Sequence, residues 1–271
     1  MKEQRGECYA VVTGASQGLG RAFAIELAQH RQNVILISLP GQRLRELAQE
    51  LQQEHNVDIR YYETDFASNQ NIMELCHWLN ANFNISILIN NAGIGGTRKF
   101  DEVNSEYIDN IIQVNVKATT LLTHQLLPNL KKQEKAYILN VSSIAAFSPV
   151  GYKTVYPASK AFIHHFSRGL NQELKDSNVF VSVINPGAMA TNDEISSRIE
   201  KQGFIGKLTL LKPAAVAKYA IRRLLKHDSV IMLNPVAWLV SAILPIWIKL
   251  PLMTRIVKRE ISYEDSICYR N

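Results

Sequence analysis

Short apolar runs that favour β-strands alternate with helical patterns along most of this chain. The predicted strands cover residues 9–12, 34–38, 59–62, 85–89, 136–141 and 180–184. The run V34-I-L-I-S38 is apolar up to its last residue, as expected for a strand that is buried on both faces of a sheet. Helical patterns lie between the strands, among them a long one predicted over 105–127. Such alternation predicts parallel β-α-β units, and therefore an α/β fold with a doubly wound parallel sheet flanked by helices.

Composition and charge are those of a globular chain without a nucleic-acid partner. The 271 residues are 46% hydrophobic and 20% charged, and no internal repeat or change of composition divides them. We therefore predict a single domain over residues 1–230, followed by an apolar and basic C-terminal extension over 231–271. The net charge of +6 is scattered, and no basic block or zinc-finger spacing occurs, so nucleic-acid binding is not expected.

The few cysteines and histidines predict neither disulfides nor a metal site. The three cysteines form no CxxC pair and are odd in number, which argues against a disulfide framework. No histidine or cysteine spacing fits a metal. The first residues contain no apolar signal region, so we expect a reduced, cytoplasmic compartment.

A glycine-rich turn, T13-G-A-S-Q-G-L-G20, follows the first predicted strand and opens a helical pattern. Glycine lets the backbone turn tightly and approach a pyrophosphate, while the N-terminus of the helix offers free N–H groups and a positive dipole. A plain tight turn is the alternative. Glycines at 14, 18 and 20 after the first strand of a β-α-β unit favour the dinucleotide site.

Tyr156 and Lys160 lie four residues apart, so a helix would place them on one face. A unit charge ~4 Å from the phenol, at an effective dielectric of ~20, is worth roughly 4 kcal/mol. That energy could lower the tyrosine pKa by up to roughly three units, from about 10 to about 7. Such a phenol can exchange a proton with a carbonyl or an alcohol, and Ser143 could orient the same oxygen. The pair by itself also occurs by chance on solvated helices.

Polar residues after other strands have two readings each. Asp65 could bind an adenine amino group or cap the next helix. Asn90, Asn91 and Gly93 could line the cofactor or form a simple turn. Asn115 lies in an otherwise apolar helical stretch, where asparagine is disfavoured, so a buried hydrogen-bonding role is the better reading.

Taken together, these motifs identify the chain as similar to the short-chain dehydrogenase/reductase family over about residues 8–230. The resemblance rests on T13-G-x-x-x-G-x-G20, N90-N-A-G93, Asn115, Ser143, Y156-x-x-x-K160, P186-G187 and Thr191, in that order. It implies a Rossmann-like fold, a nicotinamide cofactor, and hydride transfer between that cofactor and an alcohol or carbonyl carbon. It also implies a homodimer or homotetramer, paired through the helices around 105–127 and 156–175.

The resemblance implies a role for each matching residue. Tyr156 would be the general acid/base, Ser143 would hold the substrate oxygen, and Lys160 would lower the tyrosine pKa and bind the nicotinamide ribose. Asn115 would hold a water in a proton relay. The residues expected to bind the cofactor are Gly14, Ser16, Gln17, Gly18, Leu19, Gly20, Ser38, Asp65, Phe66, Asn91, Ala92, Gly93, Tyr156, Lys160, Pro186, Gly187, Met189 and Thr191.

The end of the second strand bears on the choice between the two nicotinamide dinucleotides. Family members that use NAD usually have an Asp where Ser38 stands, and those that use NADP often have an Arg where Leu39 stands. Gln17 likewise replaces the basic residue common in NADP users. With no carboxylate to repel a phosphate, and with Ser38 and Arg43 able to contact one, we expect NADP(H) to be favoured over NAD(H).

The C-terminal extension carries an apolar run with basic residues after it. Residues 235–248 are shorter than the ~20 residues of a membrane span, and Pro245 and Pro251 are expected to interrupt the helix. The segment 235–259 could lie at a membrane surface, or form a lid over the substrate or a subunit interface. The stretch 196–211, with Ile205 and three leucines, suggests an apolar substrate.

The sequence therefore predicts an NAD(P)(H)-dependent oxidoreductase for a lipophilic alcohol or carbonyl. The segments L36-I-S38 and D65-F-A-S68, together with the apolar C-terminal region, resemble the branch of long-chain 3-oxoacyl reductases and 17β-hydroxysteroid dehydrogenases. A reductase of small polar carbonyls is one alternative. A dinucleotide-sensing protein without turnover is the other.

Overall fold

The protein is described by a computed structural model covering residues 8–187, 189, 211–233 and 245–268, with the side chains of the last helix described to Lys258. Seven parallel strands form one sheet. They are β1 Cys8–Thr13, β2 Asn33–Ser38, β3 Ile59–Glu63, β4 Asn84–Asn90, β5 Ala136–Val141, β6 Val179–Asn185 and β7 Val230–Met232. Their spatial order is β3-β2-β1-β4-β5-β6-β7, so the predicted doubly wound α/β fold is confirmed.

Helices cover both faces of the sheet. The α-helices of the described residues are α1 Gly18–Gln29, α2 Leu44–His55, α3 Asn69–Asn82, α4 Ser105–Ile112, α5 Thr119–Leu130, α6 Val155–Glu173, α7 Pro213–Leu224 and α8 Ile246–Cys268. One apolar cluster packs α1, α2 and α7 on one face, and a second packs α3 and α5 on the other. Within β2, Leu36 points into the first cluster while Ile35 and Ile37 point into the second. This strand is therefore buried on both faces, as its sequence predicts.

The long helix predicted over 105–127 is interrupted. It begins at Ser105, where the Asn104 side chain accepts a hydrogen bond from the Tyr107 amide, but it changes to a π-helical segment over Gln113–Ala118. The chain then resumes α-helical form to Leu130. π-Helical turns are frequent at functional sites, and this one contains Asn115.

The C-terminal part departs from the sequence prediction in two ways. The short strand β7 was not predicted. It extends the sheet two residues beyond residue 230, where the domain was predicted to end. Pro251 lies inside α8 instead of interrupting it, so that prediction was wrong. A proline removes only one backbone hydrogen bond near the start of a helix, and packing of this helix on the domain offsets the loss. None of the described helices is long and apolar enough to cross a bilayer.

Candidate active site

The glycine-rich turn lies between β1 and α1 at the carboxyl edge of the sheet. Gly14 and Gly18 have φ angles of +65° and +55°, which L side chains rarely adopt. A Cβ at Gly20 would lie 2.0 Å from the Gly14 carbonyl oxygen, so only glycine fits there. No side chain caps the first turn of α1, and that turn contains no acidic residue. The cradle and the free N–H groups suit a dinucleotide pyrophosphate.

Thr13 and Asn91 hold this turn against the end of β4. The Thr13 hydroxyl accepts hydrogen bonds from the amides of Asn91 and Ala92, both at 2.9 Å. The Asn91 side chain in turn donates to the Thr13 carbonyl at 2.9 Å. Asn90 points the other way: its amide donates to the Asn140 side chain inside the sheet at 2.8 Å. Asn91 therefore supports the glycine turn, whereas Asn90 is part of the core.

A polar group at the end of β2 joins three side chains. The Ser38 hydroxyl lies 2.9 Å from the Ser16 hydroxyl and 2.8 Å from the Gln42 amide oxygen. Ser16 also donates to Gln42 at 2.5 Å. Gln42 was not singled out from the sequence, because nothing in its spacing distinguishes it from an ordinary turn residue. Arg43 is exposed beside this group, with a φ angle of +54°.

The residues after β3 show that Asp65 does not cap the next helix. Its carboxylate accepts a hydrogen bond from the Ala67 amide, and Ser68 is the residue that caps α3. Asp65 is exposed and shapes the turn before α3 without being the helix cap, and contact with the adenine stays a prediction. Phe66 and Leu19, also expected near the cofactor, bury their side chains in the two core clusters and offer only backbone atoms.

Ser143, Tyr156 and Lys160 meet where β5 ends and α6 begins. The Ser143 hydroxyl lies close enough to the Tyr156 phenol to lower the pKa of that phenol. The Ser143 oxygen also accepts from the Ala145 amide at 3.1 Å, which fixes its orientation. The Lys160 ammonium is buried, donates to the Val141 carbonyl at 2.9 Å, and lies 5.9 Å from the centre of the Tyr156 ring. The structure thus brings the predicted catalytic residues together.

The pKa values of this pair differ from the sequence expectation. Burial raises the pKa of the Tyr156 phenol, and the hydrogen bond with Ser143 lowers it by a smaller amount. Burial also lowers the pKa of Lys160 to about 8. The sequence expectation considered only the attraction between the phenolate and a lysine charge ~4 Å away. Burial also removes both groups from water, and this desolvation disfavours the charged form of each. The prediction of a tyrosine pKa near 7 is therefore not what this environment gives.

Asn115 joins the π-helical segment to the strand end that carries Gly93. Its side-chain amide donates to the Ile94 carbonyl at 2.8 Å and to the Ser159 hydroxyl at 3.0 Å, and its oxygen accepts from the Ile94 amide at 2.8 Å. A Cβ at Gly93 would lie 3.2 Å from both the Asn115 amide oxygen and the Lys160 ammonium. Groups of the same chain therefore take up most of the hydrogen-bonding capacity of the Asn115 side chain. Its first role is to position the loop that contains Gly93 and Ile94.

The segment after β6 reaches the site from the other side. The Pro186 carbonyl accepts a hydrogen bond from the Ile144 amide at 3.0 Å, so Gly187 lies close to the turn that carries Ser143. Met189 forms an isolated parallel bridge with Leu211. Thr191, the stretch 196–210 and residues 235–244 lie outside the described residues.

A cleft that the sequence did not reveal opens beside Tyr156. One wall comes from the chain between β4 and α4, the other from the chain before α6. The lining side chains include Arg98, Phe100, Val103, Tyr107, Ile111, Tyr152 and Lys153. The Arg98 amide donates to the Tyr152 carbonyl at 2.7 Å and joins the two walls. These residues come from two stretches, 98–111 and 152–153, that are far apart in the chain and belong to no motif, so no spacing could have grouped them.

With the fold and the site established, comparison with known proteins decides the family. The family described as short chain dehydrogenase matches residues 9–202. This chain belongs to the short-chain dehydrogenase family. Enzymes of this family transfer a hydride between a nicotinamide dinucleotide and a CH–OH or C=O group, so the predicted class of oxidoreductase is confirmed at that level.

Two curated relatives differ in what their names say of activity. A very-long-chain 3-oxoacyl-CoA reductase from Anas platyrhynchos is 34% identical over 200 residues, which are 72% of this chain and 63% of that protein. The inactive hydroxysteroid dehydrogenase-like protein 1 of Homo sapiens is 32% identical over 186 residues, 68% of this chain and 56% of that one. The matched part of this chain thus covers less than two thirds of the length of either relative.

A solved structure supports both the fold and the class of cofactor. The short-chain dehydrogenase from Sphingobium yanoikuyae in complex with NADPH has 27% sequence identity and a TM-score of 0.75. The match covers 85% of this chain and 91% of that one. Since membership of the family implies a nicotinamide cofactor, the fit of the glycine turn described above agrees with the comparison.

Proposed function

We propose that this short-chain dehydrogenase reduces the carbonyl group, or oxidises the corresponding alcohol, of a lipophilic substrate such as a 3-oxoacyl or steroid-like compound. The observation that carries the proposal is that Ser143 and Tyr156 lie together beside the buried ammonium of Lys160. Apolar side chains of the cleft, Phe100, Val103 and Ile111 among them, support a lipophilic substrate. The 3-oxoacyl-CoA reductase among the relatives supports the same class.

The chain's own residues would act on the substrate oxygen. When bound, the nicotinamide cofactor supplies the hydride in reduction or accepts it in oxidation. Ser143 would hold the carbonyl oxygen by its hydroxyl, and Tyr156 would donate its proton to that oxygen as the alcohol forms. Because burial raises the pKa of Tyr156, the phenol is protonated at neutral pH, which favours proton donation. The glycine turn, Asp65 and the end of β2 would hold the dinucleotide.

Turnover of a carbonyl panel tests the proposal. Cofactor absorbance would be followed with 3-oxoacyl thioesters, ketosteroids and small polar sugars, each with NADPH and with NADH. We expect oxidation of the cofactor with the lipophilic members. Activity confined to the sugars would favour a reductase of polar carbonyls. Cofactor binding without oxidation across the whole panel would favour a dinucleotide sensor.

The hydroxyl group at the end of β2 leads us to propose NADP(H) as the favoured cofactor. The Ser38 hydroxyl hydrogen-bonds Ser16 and Gln42, so a 2′-phosphate there would meet hydroxyl and amide groups. The replacement Ser38→Asp is expected to weaken NADPH at least about ten-fold and NADH far less, because the new carboxylate repels the phosphate. KM values for both cofactors measure the effect, with Ser38→Thr as control. A wild-type preference for NADH would overturn the proposal.

Helix α8 leads us to propose attachment to an anionic membrane surface. Lys249 is buried and donates to the Phe147 carbonyl at 2.9 Å, and the Thr254 hydroxyl accepts from the Gly151 amide at 3.0 Å, so one face of the helix is docked. The opposite face exposes Trp247 (73%) and Leu252 (51%), together with Ile248, Ile256, Arg255 and Lys258. Residues 245–258 contain no acidic residue. An apolar stripe with basic neighbours suits anionic lipid headgroups.

Co-sedimentation with lipid vesicles tests this attachment. The wild type is expected to sediment with vesicles that contain phosphatidylserine and to remain in solution with pure phosphatidylcholine. The double replacement Trp247→Ser and Leu252→Ser should lower the bound fraction several-fold. Leu225→Ser is the matched control, because Leu225 is equally exposed at 51% and lies after α7. If the wild type does not sediment with phosphatidylserine vesicles, a lid or a subunit interface becomes the better interpretation of α8.

Exposed aromatic rings on α6 lead us to propose a homodimer or homotetramer. Phe162 is 44% exposed and stacks on Phe166 with ring centres 6.0 Å apart, and Ile112 on α4 is 41% exposed. We expect Phe162→Glu to produce monomers, since a charge on this face would be costly to bury. Light scattering after gel filtration gives the mass, and Leu225→Glu is the control. A monomeric wild type would contradict the proposal.

A further inference from the structure

The buried face of α8 contacts the stretch of chain that links Ser143 to Tyr156. A 3₁₀-helical turn over Ile144–Phe147 follows Ser143, and the Ser143 side chain caps its start. The Phe147 carbonyl at the other end of the turn accepts a hydrogen bond from the buried Lys249 ammonium at 2.9 Å. Carbonyl groups at the end of a helical turn have no partner within it, and a lysine can satisfy one. Lys249 therefore holds the end of the turn that begins at Ser143.

A second contact lies closer to Tyr156. The Thr254 hydroxyl accepts a hydrogen bond from the Gly151 amide at 3.0 Å. A Cβ at Gly151 would lie 2.6 Å from the Thr254 Cγ2 atom, so the loop backbone and the helix touch without room for a side chain between them. Two side chains of α8 thus hold the loop between the proposed catalytic residues at two separate points.

Helix α6 holds the same turn by a different group. The Phe147 ring packs edge-on against the His164 ring, with ring centres 4.8 Å apart. His164 is buried on α6, one turn after Lys160, and its Nδ1 atom lies 3.1 Å from the Asn185 side-chain oxygen. Helix α6 therefore holds the Phe147 side chain while α8 holds the Phe147 carbonyl. When the α8 contact is removed the α6 contact remains, so we expect a displaced turn and not an unfolded one.

From these contacts we propose that Lys249, assisted by Thr254, is a positioning residue for the reaction. It holds the turn after Ser143 in the place where the serine hydroxyl and the Tyr156 phenol meet the same substrate oxygen. Helix α8 lies beyond residues 9–202, the part of the chain that matches the family, so the family match gives it no role. This inference rests on the proposed function, because it assumes that Ser143 and Tyr156 act together on a carbonyl group.

Replacements on α8 test the positioning role without changing the site itself. Lys249→Met keeps the length of the side chain but loses the ammonium. It should lower kcat about ten-fold, because a small displacement of a catalytic group is costly. KM and the dissociation constant of the cofactor should change little. Lys249→Arg can donate to the same carbonyl and should restore most of the activity, whereas Thr254→Val, which loses only the hydroxyl, should lower kcat about three-fold.

Two controls accompany these variants. Lys218→Met is the matched replacement, because Lys218 is exposed on α7, and it should keep the wild-type constants. Thermal midpoints identify a variant that loses its fold, and if Lys249→Met does so, the result for Thr254→Val decides alone. Wild-type kcat in the folded variants at these two positions would overturn the inference.

A double-mutant cycle shows whether Lys249 acts through Ser143. In a Ser143→Ala background the turn has no hydroxyl to position, so adding Lys249→Met should lower kcat by less than about two-fold. Alcohol oxidation by Lys249→Met should also shift to higher pH, because a displaced Ser143 hydroxyl no longer lowers the pKa of Tyr156. Lys160, the charged group beside the phenol, is the same in all these variants. A loss of about ten-fold in both backgrounds would contradict the positioning role.

Hydrogen exchange separates this inference from the proposed function. Exchange of the amides in residues 144–151, measured by mass spectrometry, should be about ten-fold faster in Lys249→Met than in the wild type or in Lys218→Met. If no carbonyl compound is reduced but exchange rises in this way, the proposed function fails and the hold of α8 on the turn stands. If substrates are reduced and exchange is unchanged, the function stands and the inference fails.

Discussion

The replacement Tyr156→Phe is expected to lower kcat by about 10³-fold while the fold and cofactor affinity remain unchanged. Only the phenolic hydroxyl is lost, and it is the group that exchanges a proton with the substrate oxygen. The ring itself remains packed, because Gly95 lies against it: a Cβ at Gly95 would be 3.0 Å from the tyrosine Cδ2 atom. Cofactor absorbance with the best substrate of the panel measures the loss, and the thermal midpoint tests the fold.

The pH dependence gives a second measure of the same residue. Since burial raises the pKa of Tyr156, carbonyl reduction by the wild type should be level through neutral pH and fall only at alkaline pH. Alcohol oxidation needs the phenolate and should rise over that range. Ser143→Ala removes the hydrogen bond that partly offsets burial, so its oxidation profile should shift to higher pH. Turnover by Tyr156→Phe at the wild-type rate would refute the assignment.

The replacement Lys160→Met is expected to reduce turnover at least about 10²-fold while making the stability of the protein less dependent on pH. Burial lowers the Lys160 pKa from 10.5 to about 8. A difference of that size corresponds to about 3 kcal/mol of unfavourable charge burial at neutral pH. Lys160→Met removes this cost of charge burial. It also leaves the Val141 carbonyl without the lysine ammonium that donates to it at 2.9 Å, and the loss of that hydrogen bond costs roughly 1–3 kcal/mol.

The sign of the pH effect follows from proton binding. Between about pH 8 and 10.5, the unfolded chain holds a proton on Lys160 that the folded chain has released. The free energy of unfolding of the wild type therefore rises with pH relative to that of Lys160→Met. Urea unfolding at pH 7 and at pH 9.5 should show a relative gain of about 2 kcal/mol for the wild type. Lys175→Met on the surface should show none, and an unchanged wild-type difference would contradict the lowered pKa.

Much of the fold was predictable because its signals are local. A strand such as β2 can be recognised from five successive residues, since burial on both faces leaves little room for polar side chains. The glycine turn and the spacing of Tyr156 and Lys160 are equally local, and the structure places both at the carboxyl edge of the sheet. By contrast, the π-helical segment around Asn115 depends on its contacts with Ile94 and Ser159, which are distant in the chain.

The sequence alone determined the α/β sheet, the family and the identities of the residues that meet at the site, because periodicity and motif spacing record local geometry. Tertiary structure decided the rest. It joined Ser38 to Ser16 and Gln42, and it placed Arg98 beside Tyr156. It also buried the Tyr156 phenol, which raises the pKa of that phenol. Desolvation and long-range contacts depend on everything that packs around a group, and no spacing along the chain encodes that environment.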